Sequence, residues 1–463
     1  MGQHNGRLDR LADRWWMGPL FTLGHVPLAL WVSSTPSVGA VMALCILAIG
    51  SLASLRASGA SLVPLLAVAY MTGSERMWRT VGTTEVLGWE FCKSGVIVIS
   101  LIRVLTHRGQ RGTMPMIPLW YAVLLLPSLA ALLGGELDFH MVRSRAIATL
   151  AGPISMALSA LLFSAYTLDP RALRRVAYSV IGPIAGTVTL CVRNLVILGE
   201  DIQFGATSNR EASGGGGPNQ VANTLALGAL LCWMLLLGRK LAFMERVFLF
   251  GLLLVQIIVM LLTLSRGGFY TFCLAVAAVS LVKLRAQGQR LQFLAMFILM
   301  AVVLLRVAWP TADRVASGAV QRRYSNLRTD RWELAKSEIL VWMEHPLMGV
   351  GPGVAREEVA AYLGHSLMAH VEFSRLLAEH GIFGVAAILL FFGGFIRNYR
   401  LADAEGWRTW VVAAMAYTCG YWMQSATRTL APSFTYGLIW TSDPRSPRRR
   451  LPENDSARHN TRV

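Results

Sequence analysis

Charge is what this 463-residue chain has least of: 15% of its residues are Asp, Glu, Lys or Arg, against about 25% in a typical soluble domain. Acids are scarcer than bases, 26 against 43, which leaves a net charge of +17. Hydrophobic residues make up 54% and fall in runs that approach the ~20 residues needed to cross a bilayer as helix. The shortage of charge therefore excludes a soluble domain. Nothing in the sequence reads as a sheet, and in lipid the backbone is satisfied only by helices or a closed barrel. The six cysteines, Cys45, Cys92, Cys191, Cys232, Cys273 and Cys419, sit in or beside apolar runs with no CxxC pair. That spacing speaks against a disulfide framework or a zinc site and leaves small apolar filler. No DxD motif occurs. "GVGPG" at Gly349–Gly353 has neither the strand nor the spacing of a dinucleotide fingerprint and reads as a turn.

What is present is a series of apolar spans, expected near 17–33, 36–54, 61–73, 87–105, 115–135, 146–168, 176–198, 220–238, 246–264, 267–283, 291–309, 380–396, 409–426 and 430–441, twelve to fourteen crossings in all. The expected fold is all-α, a polytopic transmembrane bundle. Arg and Lys set its orientation, because basic residues gather on the cytoplasmic side. One threading places Arg7, Arg56, Arg103, Arg171, Arg239, Lys283, Arg397 and the tail "RSPRRR" all on that side. The basic excess is thus a membrane signal rather than a nucleic-acid one. The N-terminus has no small-residue cleavage site after a short apolar core and is expected to start in the cytoplasm.

The same threading brings three segments to the outer face: the loop "EDIQFGATSNREASGGGGPNQ", the turn "SRGG" at Ser265–Gly268, and the stretch 310–379. The chain accordingly divides into a transmembrane region (1–309), an external loop region of short helices (310–379), C-terminal spans (380–441) and a disordered basic tail (442–463). Arg266 lies in a tight outer turn with no local acid, which suggests an anionic partner as well as headgroup snorkelling. Gly267 and Gly268 would let a ligand approach the backbone. In "RRYSNLRTDRW", a solvated face explains Arg322 and Arg323 as readily as a function does. Arg328 and Arg331 precede an amphipathic helix, and guanidinium groups suit bidentate bonds to phosphate. The run "GGGGPNQVAN" reads first as a flexible linker and second as an anion site on a helix N-terminus, helped by Asn219. Arg193, near the outer end of its span, either snorkels or lines a headgroup pocket. His370 could take a proton from a hydroxyl near neutral pH; His345, His365 and His380 compete with it. Glu372, Ser374 and Glu379 are poorly spaced to orient it.

These residues also carry a resemblance. The run "RTDRWELAKSEILVWMEHPLMGVGPGVA", then "AHVEFSRLLAEHGIFG" and an apolar span, resembles the core of the O-antigen ligase and O-antigen polymerase superfamily. Upstream "LSRGG" and "GPNQVA" match as well, so the likeness covers roughly Gly217 to Gly384. It implies a bacterial inner-membrane glycosyltransferase, type C-like, with its active site on the external face. The implied chemistry is inverting, with no metal or cofactor. The implied donor is a polyprenyl-diphosphate-linked oligosaccharide and the implied acceptor a glycan hydroxyl. Carried onto this chain, Arg266 and Arg331 hold the diphosphate, Arg328 stands in if the register differs, and His370 deprotonates the acceptor. Asn219, Gly267 and Gly351 are supporting residues; Arg193, outside the stretch of likeness, is a further candidate donor contact from its place at the span end alone. Membrane lipids, a chain-length regulator and other polysaccharide-assembly proteins are the implied partners. One departure stands out: the family commonly has Asn after the histidine, where this chain has Val371.

An exopolysaccharide or O-antigen polymerase is the preferred reading, with O-antigen ligase and protein O-glycosyltransferase as alternatives. A transporter or flippase for lipid-linked glycan is the rival class. Transporters bury ionisable groups near mid-span, whereas here the useful charges are expected to gather at one face.

Overall fold

The computed structural model describes residues 14–56, 61–106, 115–133, 138–205, 207–238, 241–285, 290–325, 331–364, 371–402 and 404–442. Among these the fold is all-α, its sole β pairing an isolated bridge between Thr167 and Ser442. Among the described residues, eight helices are long and apolar enough to span a membrane: Pro36–Leu55, Phe139–Ser164, Pro170–Asp201, Pro218–Leu236, Phe243–Leu262, Arg266–Arg285, Arg290–Val315 and Glu372–Leu401. The Met17–Ser34, Val63–Thr80, Phe91–Thr106, Glu405–Trp422 and Ala431–Trp440 helices are shorter or more polar and complete the bundle.

Burial orders the bundle. Pro218–Leu236 is 89% buried and runs through the centre, whereas Arg290–Val315 is 17% buried and turns its apolar residues outward. Lipid tails are as apolar as leucine, so helices in lipid are held by close packing and by interhelical hydrogen bonds, measured at about 0.6 kcal/mol on average. Both devices are present. Ser155 meets Ser433 and Thr418 meets Thr435, each pair at 2.8 Å. A Cβ on Gly268 would lie 2.3 Å from the Ala222 carbonyl, so only glycine lets the Arg266–Arg285 helix approach Pro218–Leu236 this closely. The last helices are joined through Phe391, whose ring stacks on Trp422 (4.2 Å) and Tyr436 (5.1 Å).

Several expected spans are redrawn. The segment expected at 115–135 is not one helix: Met116–Val123 and Leu129–Leu133 are separated by a break containing Pro127. Neither helix alone covers the ~30 Å hydrocarbon core, so the crossing is made by the two in series and ends near Leu132, whose N would lie 3.0 Å from a Cβ on Gly351. The span expected to end at 309 continues to Val315 through a π-helical turn, Leu304–Ala308, which accommodates Pro310 at the start of the last helical segment. The span expected from 380 begins earlier, at Glu372, and kinks at Gly381 (φ 58°, ψ −135°). Ser442, counted with the polar tail from sequence, is buried and exchanges backbone hydrogen bonds with Tyr166 and Leu168.

Three short helices, Ala319–Ser325, Arg331–Glu344 and Ala355–Leu363, lie between Arg290–Val315 and Glu372–Leu401. Leu334, Val341, Ala355, Val359 and Ala378 form a small core of their own beneath them. The turn "HPLMGVGPG" locks this layer to the kink. Val350 N donates to Ala378 O at 3.0 Å, Gly351 N to Glu379 O at 3.1 Å, and Ile382 N to Pro346 O at 2.8 Å. Gly349, at φ +68°, has no room for a side chain, since a Cβ there would sit 2.5 Å from His380 N. Gly351 is thereby a packing residue of the turn.

Candidate functional site

Four segments, distant in sequence, meet at the start of the Arg266–Arg285 helix. The connector before it is tightly specified: Leu264 adopts a left-handed conformation (φ 52°), and Ser265 N donates to Thr263 Oγ1 at 3.1 Å. The Gly-rich loop braces this connector, with Asn209 N donating to Thr263 O at 2.8 Å. Further bonds close the loop, from Gly215 N to Arg210 O (2.9 Å) and from Arg210 Nε to Gly215 O (2.8 Å). The segment expected first as a flexible linker is therefore a folded support. Its backbone and side-chain polar groups bond to one another, Ser213 Oγ donating to Asn209 O and Ala212 N to Asn209 Oδ1.

Arg266, 5% exposed, occupies the first position of its helix. Asn219 faces it from the opening turn of Pro218–Leu236. It accepts from Ser265 Oγ at 3.3 Å, and its Nδ2 donates to Gln424 O at 3.0 Å. Gln424 Oε1 in turn accepts from Arg331 Nη1. A Cβ on Gly267 would lie 2.7 Å from Asn219 Oδ1 and 3.6 Å from Arg331 Nη2. The two glycines expected to admit a ligand thus admit protein instead: Gly268 the Ala222 backbone, Gly267 the Asn219–Gln424–Arg331 group.

A third arginine joins them. Tyr324 packs against Trp309 (5.1 Å), Phe269 (5.6 Å) and Tyr270 (6.1 Å), which fastens the Ala319–Ser325 helix over the start of Arg266–Arg285. Arg323, next to it, is half-buried and donates from Nε to Leu264 O at 3.2 Å. Burial first, then the charges of Arg266 and Arg323, push the Arg331 guanidinium down to about 10. Three guanidinium groups held this close repel one another, and an anion bearing more than one charge would relieve that repulsion.

The sequence expectations divide accordingly. Arg266, Arg331, Asn219 and Gly267 come together. Arg193 lies exposed near the end of its helix, outside this hydrogen-bonded group, and Arg322 is exposed. Arg323, for which a solvated face was an equal account, belongs to the cluster. His370, His365 and Arg328 lie outside the described residues. His345 is exposed, while His380 is wholly buried with Nδ1 2.6 Å from Ser128 Oγ.

The residues after Val371 form a second network that spacing alone did not reveal. Glu372, Arg375 and Glu379 line one buried face, with Arg375 bonded to Glu372 at 2.6 and 2.9 Å and to Glu379 at 2.5 Å. Glu372 also accepts from Thr427 N at 2.9 Å. Ser374 Oγ donates to Glu338 at 2.5 Å. Burial outweighs that hydrogen bond and, with the nearby Glu379 charge, pushes the Glu338 carboxyl up to about 8.

Sequence reasoning also missed residues 423–430, "MQSATRTL". This segment bonds to Asn219 and Arg331 through Gln424, to Glu372 through Thr427 N, to Arg79 through Arg428 O (3.4 Å) and to Glu75 through Leu430 N (2.6 Å). A signal was available. Arg428 stands between two apolar spans with no local acid, the same argument that singled out Arg266.

Residues 248–389 match the family model described as O-antigen ligase. The matched region contains Arg266, Gly267, Arg323, Arg331, Glu338 and the kink at Gly381, and it is followed by the segment that carries Gln424. No curated protein matches the chain. The family description favours the ligase alternative over the polymerase preferred from sequence.

Proposed function

We propose that the chain is a membrane glycosyltransferase of the O-antigen ligase kind, which moves a glycan from a polyprenyl diphosphate carrier to an acceptor hydroxyl on the external face of the bacterial inner membrane. The observation that supports this reading is the meeting of Arg266, Arg323 and Arg331, all three within the region similar to that family, beside Asn219 and Gln424 that flank it in sequence.

The chemistry suits the residues. The acceptor oxygen attacks the anomeric carbon from the side opposite the carrier, so the configuration inverts. The bond between that carbon and the diphosphate oxygen breaks, and the carrier leaves with both electrons. Arg266 and Arg331 stabilise the charge that grows on the leaving diphosphate, so their contribution is largest in the transition state. Each charge-assisted bond is worth about 1.5–3 kcal/mol. His370 takes the acceptor proton, a role carried over from the family likeness. The Glu338–Ser374 and Glu372–Arg375–Glu379 groups stiffen the helix start that follows it.

The test is reconstitution of the purified chain in liposomes with a native lipid-linked glycan. His370→Ala should still bind donor but form no product. Arg266→Ala should weaken donor binding by about tenfold or more, the equivalent of 1.4 kcal/mol. Full donor affinity in Arg266→Ala would sink the diphosphate assignment, and undiminished product from His370→Ala the base assignment. A single transferred glycan marks a ligase; a ladder of lengthening products would restore the polymerase.

A further inference from the structure

The charged residues of the Val63–Thr80 helix take no part in the chemistry above, yet they are buried. Glu75 is 1% exposed, Arg76 2% and Arg79 7%. Glu75 has a counter-charge and a backbone donor: Oε1 lies 2.9 Å from Arg79 Nη2 in an ion pair, and Oε2 accepts from Leu430 N at 2.6 Å. Arg79 also approaches Glu90 (3.9 Å) and stacks over Trp89 (4.7 Å). Arg76 has no such partner. Among the described residues it forms no ion pair. Its Nη1 donates to the neutral Gln220 Oε1, and its Nε is buried with no acceptor.

The guanidinium is aimed at the start of the central helix. A Cβ on Gly216 would lie 2.7 Å from Arg76 Nη2, so the tip of the arginine lies beside the loop backbone there. Two residues on, Pro218 opens the 19-residue helix, whose N-terminal amides and dipole favour negative charge. Asn219 and Gln220 are consecutive. Side chains of consecutive helical residues diverge by about 100°, so Asn219 serves the Arg266–Arg331 cluster while Gln220 serves Arg76.

We propose that Arg76, Gln220 and the backbone around Gly216 form a second oxyanion position beside the arginine cluster, one that takes a phosphate or carboxylate of the glycosyl-transfer substrates. It rests on the donor-site reading above. A buried guanidinium with one neutral acceptor and one empty donor is costly alone and is relieved by a bidentate oxyanion. The oxyanion comes either from the carrier diphosphate or from an acidic sugar.

The test uses the full-length chain in detergent, with farnesyl diphosphate and glucuronic acid as separate probes in calorimetric titrations. Arg76→Gln should lose tenfold or more in affinity for one of them: for farnesyl diphosphate if the position holds the carrier, for glucuronic acid if it holds a sugar acid. Unchanged affinity for both overturns the proposal, even where thermal stability falls, because Arg76 is then only a tie to Gln220. Should Arg76→Gln fail to fold, Arg76→Lys, which keeps the charge and loses the fork, carries the same test. Loss of farnesyl diphosphate binding in Arg266→Gln but of neither probe in Arg76→Gln sinks this inference alone. The reverse pattern sinks the donor assignment and leaves the second position standing.

Discussion

Burial acts on Arg331 and Glu338, two residues of one short helix, with opposite consequences for their charge. Arg331 is pushed down to about 10 and keeps its proton at neutral pH, so it stays available to an anion. Glu338 is pushed up to about 8 from an ordinary value of 4.5, so at pH 7 it is mostly neutral and can donate as well as accept. The native state holds a proton that the unfolded chain releases near 4.5, so the stabilising contribution is complete below that value. It is lost as pH rises through about 8, by an amount on the order of a few kcal/mol. Thermal unfolding in detergent should therefore show the midpoint falling between pH 5 and 9. Glu338→Gln, which keeps the shape and cannot ionise, should flatten that fall. An equally steep profile in Glu338→Gln would assign the pH dependence to another group.

Among the elements, the kink at Gly381 does the most to shape the site. It joins the buried Glu372–Arg375–Glu379 face to the long apolar helix and receives the Pro346–Gly351 turn on its backbone. At φ 58° and ψ −135° only glycine is at ease, and a Cβ would meet Leu347 O at 2.5 Å. Such strain costs roughly 1–3 kcal/mol before any clash is counted. Gly381→Ala should lower the unfolding midpoint and abolish transfer. Gly393→Ala, on the same helix with open space around it, should be neutral or stabilising by up to about 1 kcal/mol. Equal behaviour of the two variants would remove the kink from the argument. This element also marks how far sequence could reach. "HPLMGVGPG" was legible as a turn from its glycines and proline, "LAEHGIFG" through the family likeness, Arg266 because an isolated basic residue stands out between apolar runs, and Arg331 because it precedes an amphipathic helix. The polar ties were not legible. Gln424 looks like the end of an apolar span, and Glu372 looks misaligned until Arg375 is seen between it and Glu379. Periodicity records which face is apolar, not which partner the polar face meets.

At the scale of the whole molecule, the hydrogen-bonded hub at residues 423–430 unites parts of the chain that share one side in the threading set by Arg and Lys. The segments before Glu90, around Asn219, before Arg266 and after Trp309 all converge on it or its neighbours. A chain threaded wrongly by one span would place some of these on opposite surfaces, and the direct bonds between them could not form. The same threading puts Ala355–Leu363 outside and the Arg397–Arg400 end of the following helix in the cytoplasm. Tyr362 and Arg400 are both exposed, and a membrane-impermeant maleimide can report on each. In a Cys45→Ala background, which removes the one exposed native cysteine among the described residues, Tyr362→Cys should be modified in intact spheroplasts. Arg400→Cys should react only after permeabilisation. The opposite pattern would turn the arginine cluster toward the cytoplasm, where a carrier-linked glycan already moved outward could not reach it, and the transferase reading would fall with it.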